Sequence, residues 1–251
     1  MERIESQFAL LATVVTILLG EWLLIQQQFL SGIFLYSLIL LLLLLYVAYR
    51  WDHTQHYLLV FTIPSIIRLL NFTLPLANFS PLFAQLIISF PLSLTGAVFI
   101  WLFKESEYSF ALKFKWRQTP LYLLLIALGS LAGFLLFQFQ QPARLTWNNP
   151  LLFFFYVFVL VIAMAFLEEW LFRGIMQTAL TKLLGNGFAA LVVALVYTIL
   201  HINQGSWIFV LIIFLFALGL SWLRNRSESL LNVCLVHGAA NILFFLILPW
   251  R

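Results

Sequence analysis

Two adjacent carboxylates and a guanidinium, Glu168, Glu169 and Arg173, stand in the otherwise apolar run from Ala165 to Gly174. Residues four apart share a helix face, so Glu169 and Arg173 can pair within one helix, whereas Glu168 is turned about 100° away and is left for another role. Carboxylates withdrawn from water beside one another offer the setting in which one of them acts as a general base near neutral pH. Further along, His201 follows Tyr197-Thr198-Ile199-Leu200, and His237 and Asn241 are again four apart on one face. Converging in one dry pocket, these groups would supply what hydrolysis by an activated water requires: a proton acceptor, a polarising group and an oxyanion donor. The structural alternative is a charge network that only pins helices together. Adjacent carboxylates on different faces argue against it.

The composition shows what must position these residues. Of 251 residues, 64% are hydrophobic and 9% charged, against roughly 25% charged in an ordinary soluble domain. So little charge cannot cover a water-soluble globule, and it also excludes disorder and a nucleic-acid-binding arm. One cysteine, Cys234, leaves no disulfide framework and no thiolate zinc site. Apolar runs long enough to cross a hydrocarbon core stand at 8–25, 29–49, 57–75, 82–103, 120–139, 150–182, 187–203, 206–223 and 230–248, each near the length of roughly 20 residues a span needs. The expected fold is all-α: one integral membrane domain over 1–251, a bundle of 8 to 9 transmembrane helices, with the motif-bearing core at 150–248. The first run is not expected to be a cleaved signal peptide, because Glu21 and Gln26-Gln27-Gln28 occupy the place of a cleavage site.

With the N-terminus cytoplasmic, the inner side holds Arg3, Arg50, Lys104, Lys113, Lys115, Arg117, Lys182, Arg224 and Arg226, and the outer side only Arg144 and Arg251. Short cytoplasmic loops collect Lys and Arg, so this frame is favoured over its inverse. Arg68 and Arg173 fall inside spans; Arg68, one turn before Asn71, reads as a helix-packing or snorkelling residue. Ser109 to Arg117, with Phe110, Phe114 and Trp116 among its basic residues, reads as an interfacial segment on anionic lipid. His53 and His56, near Asp52 on the inner loop, could bind a metal ion, although three residues of one short loop are poor evidence for a site. Measured from the inner ends of their spans, Glu168 and His201 stand roughly 21 to 22 Å up, Asn241 roughly 17 Å and His237 roughly 11 Å, in overlapping layers.

Glu168-Glu169-x-x-x-Arg173, an aromatic four residues before His201, and His237-x-x-x-Asn241 resemble, in order and spacing, the three motifs of the CPBP family. These are the intramembrane proteases that include the type II CAAX prenyl endopeptidases and the bacteriocin-processing or self-immunity (Abi) proteins. The turn from Arg224 to Ser229 resembles the family's basic turn, and the first 140 residues show membrane character alone. The resemblance implies that Glu168 activates the attacking water, that His201 binds or polarises it, that Asn241 with His237 stabilises the oxyanion, and that Arg173 holds Glu169. Tyr197 stands where the family commonly has Phe, and its phenol can add a hydrogen bond. A zinc ion, if present, would be held by Glu168, His201 and His237; the His-Glu-x-x-His helix of zincins is missing, and the expected mechanism uses no cofactor.

The first expectation is therefore an intramembrane endopeptidase acting on a membrane-bound or lipidated protein or peptide, with membrane lipids as its surroundings and no nucleic acid among its partners. It is expected in a bacterial plasma membrane, with thylakoid or organelle membranes as alternatives. A second expectation is a non-proteolytic assembly, chaperone or immunity factor bound to a membrane-protein partner. A proton-coupled transporter is weakened because the first half carries no set of ionisable residues matching the second.

Overall fold

The computed structural model describes residues 2–49, 56–103, 112, 114, 116–142 and 145–250, and among these all regular structure is helical. In chain order the helices are α1 (Glu2–Ile25), α2 (Phe29–Tyr49), α3 (Thr62–Thr73, entered through the 3-10 turn His56–Phe61), α4 (Pro81–Phe103), α5 (Thr119–Phe139), α6 (Pro150–Leu184), α7 (Asn186–Ile199), α8 (Trp207–Ser227) and α9 (Leu230–Ile247). Arg50, Asp52, His53, Lys104, Lys113, Lys115, Arg144, Arg251 and most of the Ser109–Arg117 segment lie outside the described residues, as do the side chains of Arg3 and His56.

Every run marked as a span forms a helix, but not every one is long enough to cross. Seven of the described helices have the length and apolarity; the segment Tyr57–Thr73 and α7 are shorter apolar helices. At 1.5 Å per residue, the 14 residues of α7 cover only about 21 Å of a core about 30 Å thick. The outward faces are apolar, with Phe8, Leu30, Phe34, Phe90, Trp101 and Phe154 among the most exposed. Apolar surface on that scale belongs against lipid. The protein is an integral, multi-pass helical bundle.

Local signals set the ends of the elements that carry the site. Asn149 caps α6, its side chain accepting from the Leu152 N–H at 2.8 Å, with Pro150 following it. Gly185, at φ +77°, stops the same helix. Ser206 caps α8 by accepting from the Phe209 N–H at 3.3 Å. At one end of the bundle, Gln177 donates to the Ser221 carbonyl at 2.9 Å and to Asn225 Oδ1 at 2.7 Å, and Asn225 donates to the Asn186 carbonyl at 3.1 Å. These bonds gather the ends that carry Lys182, Arg224 and Arg226, three of the residues expected on the inner side.

The helix bearing His237 and Asn241 is seated by two glycines. Gly129 and Gly133 of α5 form a Gly-x-x-x-Gly face that lies against the backbone of α9 at Val236 and Ala240. A Cβ on Gly133 would sit 2.5 Å from the Ala240 carbonyl oxygen, and one on Gly129 would overlap that of Val236. Between apolar helices in lipid, association depends on such close approach. Any side chain at either glycine would push away the backbone next to His237 and Asn241.

Candidate active site

The helix carrying the paired carboxylates is not a regular α-helix. Within α6 the segments Val159–Phe166 and Trp170–Met176 are π-helical, and Glu168 and Glu169 sit on the short α-helical stretch between them. The Leu167 N–H bonds the Ile162 carbonyl and the Gln177 N–H that of Phe172, both five residues back. Such wide turns are rare and recur at functional sites. Carbonyls of the first wide segment accept from other helices: Ala163 from Ser89 at 2.8 Å and Leu160 from Asn241 Nδ2 at 3.4 Å. A third π segment, Ile242–Ile247, begins directly after Asn241.

Glu169 and Arg173 form the expected pair, with Nη1 to Oε1 at 3.0 Å, and both side chains are fully buried. Arg173 also donates from Nη2 to the Ala217 carbonyl at 3.1 Å, and its guanidinium lies 4.8 Å from the centre of the Tyr197 ring. His237 lines the cavity together with Asn241, and it makes a contact that its spacing does not announce: its Nδ1 is 2.6 Å from Glu169 Oε1 and its Nε2 is 3.9 Å from Glu168 Oε2. The imidazole thus stands between the two carboxylates.

Counting residues from the inner ends of the spans sets His237 about 11 Å below Glu168 only where those ends lie level. They do not, because α6 runs for 35 residues, about 52 Å, and so extends well past a core of about 30 Å.

Glu168 points into a cavity of about 260 Å³ whose lining includes Tyr197, His201, His237 and Asn241. Glu168 Oε2 accepts from the Tyr197 hydroxyl at 2.9 Å, while Oε1 has no hydrogen-bond partner among the described residues. His201 Nδ1 is 2.8 Å from the Tyr197 carbonyl. Because a carbonyl only accepts, Nδ1 carries the proton and the lone pair of the neutral ring is on Nε2. Both the Arg173 guanidinium and the His201 ring lie against the Tyr197 ring, the His201 ring centre being 4.6 Å away. Changing Tyr197 to Phe keeps that ring and removes only the bond to Glu168, so Tyr197→Phe is expected to melt like the parent and to cleave about tenfold more slowly or less. Tyr197→Ala should lose fold and activity together, read from thermal melts beside substrate loss.

The structure thus brings together all six residues singled out in the sequence, four on the cavity and Glu169 and Arg173 behind it. Sequence reasoning missed Gln85 and Gln204, polar side chains on the same cavity wall. Arg68, read as a packing or snorkelling residue, also lines the cavity and is paired with Glu21. A polar residue inside an apolar run was the available signal for Gln85 and for Glu21. Among the described residues, no group of three or more His, Cys, Asp or Glu side chains is drawn together to hold a metal ion.

Comparison with curated proteins and with solved structures gives no match. Residues 149–243 match the family described as "Type II CAAX prenyl endopeptidase Rce1-like". That segment opens at the cap of α6 and ends just past Asn241, so it holds both carboxylates, both histidines and the carboxamide. Over residues 149–243, then, the chain is similar to the type II CAAX prenyl endopeptidases of the Rce1-like family, and the match lies on the segment that builds the cavity wall around Glu168.

Proposed function

We propose that this protein is an intramembrane endopeptidase that hydrolyses a peptide bond of a membrane-bound or lipidated substrate with a water activated by Glu168. The observation that carries the reading is the place of Glu168 on a cavity whose wall also includes His201 and Asn241, with Oε2 held by the Tyr197 hydroxyl and no hydrogen-bond partner for Oε1 among the described residues. A water there donates one hydrogen to Glu168 Oε1 and the other to His201 Nε2. As Glu168 takes the proton, the water oxygen attacks the scissile carbonyl carbon, and the carbonyl oxygen becomes an oxyanion. Asn241 has one amide hydrogen on the Leu160 carbonyl and a second with which to meet that oxyanion, on the side where His237 stands. The proton then passes from Glu168 to the leaving nitrogen as the carbon–nitrogen bond breaks. Glu169 and Arg173 touch no reacting atom and hold His237 and Tyr197 in place.

The test compares the membrane proteome of a strain lacking the protein with strains carrying the parent or Glu168→Ala. An enzyme leaves the same uncleaved membrane proteins in the null and Glu168→Ala strains, and those proteins are its substrates. Full complementation by Glu168→Ala would instead favour an assembly or immunity factor that works by binding.

A further inference from the structure

One buried ion pair reaches the cavity from the part of the chain that the family match does not cover. Glu21 on α1 is 1% exposed. Tyr36 on α2 donates to its Oε1 at 2.6 Å. Arg68 on α3 donates from Nη2 to Oε2 at 2.7 Å and from Nε to Oε1. The same Nη2 also donates to the carbonyl of Leu200, the residue before His201.

That last bond falls where α7 runs out of donors. The final carbonyls of a helix have no intrahelical partner, and Leu200 is buried, with 4% of its surface exposed. The carbonyls around the turn are otherwise accounted for within it. Val196 accepts from the Leu200 N–H, Tyr197 from His201 Nδ1, Thr198 from the His201 N–H, Ile199 from the Ile202 N–H, and His201 from the Gln204 N–H. No main-chain N–H among the described residues reaches the Leu200 carbonyl; Arg68 does. The charges satisfy each other in turn: Arg68 unpaired at that depth would be costly, Glu21 neutralises it, and the Tyr36 hydroxyl fills a further lone pair of Glu21.

We infer that Tyr36, Glu21 and Arg68 form a positioning relay that ties α1, α2 and α3 to the turn after α7 and so fixes where His201 Nε2 stands in the cavity. Arg68 is here a positioning residue acting through the Leu200 carbonyl. The inference rests on the proposed function only in that His201 is then a residue whose placement matters to turnover. A pair serving only as adhesive between α1 and α3 would leave the His201 turn indifferent to its loss.

The two roles separate in the full-length protein in lipid nanodiscs. In Glu21→Leu/Arg68→Met both charges go together, so no buried charge is left unpaired. Hydrogen exchange is read at the amides of His201, Ile202 and Gln204, and the ring nitrogens of 15N-labelled histidine by magnetic resonance. The relay predicts unchanged helix content, exchange at those amides faster by about tenfold, the weight of one charge-assisted hydrogen bond, and a shift of the His201 ring signals with those of His237 in place. Arg68→Lys, which has no planar fork to span Glu21 and Leu200 at once, should fall between. Unchanged exchange and unchanged His201 signals in the double variant would overturn the relay. If that variant does not fold, Tyr36→Phe serves, since it removes one hydroxyl and keeps the ring. Faster exchange at the same amides supports the relay, and none overturns it. Neither readout uses turnover, so a protein without proteolytic activity would defeat the proposed function and leave the relay standing.

Discussion

Glu168→Gln is expected to abolish cleavage while leaving the protein inserted, folded and as stable as the parent. The amide keeps the shape of the carboxylate and can still accept from the Tyr197 hydroxyl, whose bond to Oε2 is 2.9 Å. It cannot take a proton from water. Removing a positioned general base costs about 10²- to 10⁴-fold in rate, and the time course of substrate loss in proteoliposomes measures it. His201→Ala should be similarly inactive, because the water then loses the acceptor for its second hydrogen. Full activity in Glu168→Gln would eliminate the mechanism, whatever the fate of the family assignment.

The second large effect is on stability. Arg173→Met leaves Glu169 at zero exposure with one cationic neighbour removed, and breaking a buried pair in this way costs about 3 to 5 kcal/mol. Glu169→Leu/Arg173→Met, which removes both charges, should recover most of that loss, because a well-packed apolar pair of similar volume is often no less stable than the ion pair. It should not recover activity, since His237 Nδ1 no longer has the acceptor that now lies 2.6 Å away. Unfolding in detergent micelles gives the first comparison and substrate cleavage the second. A single variant as stable as the parent would show that Arg173, through Glu169 and the Ala217 carbonyl, contributes nothing to stability.

What could be read from the sequence follows from where the information lies. The Glu169–Arg173 pair is local, set by a four-residue spacing on one helix, and the structure shows it. The Tyr197 phenol was legible as a spare donor, and it bonds Glu168. The partner of His237 was not legible, because contact between helices depends on how each is rotated and shifted along its axis. A helix apolar almost all round, such as α2, gives no polar face from which to read that rotation. Glu21 and Arg68 each stood out as a charge in an apolar run, but 47 positions separate them, and neither names the other. The wide turns flanking Glu168 left no mark that simple periodicity detects, since one residue added per turn changes no residue type.

Six of the seven long apolar helices have between 22% and 28% of their spanning window buried inside the protein, whereas for Leu230–Ile247 the share is 61%. That helix is apolar enough to enter the bilayer on its own, yet most of it ends away from lipid. Membrane helices insert first and associate afterwards, and a chain emerges from its N-terminal side. Glu168 and His201 are therefore already in the membrane before His237 and Asn241 exist, and they face a space that this last of the described helices must come to occupy. Under the proposed mechanism the nascent chain would carry its base without an oxyanion donor. Competence would then arise only when the helix seated on Gly129 and Gly133 docks, which would make assembly of the bundle itself the step that turns the site on.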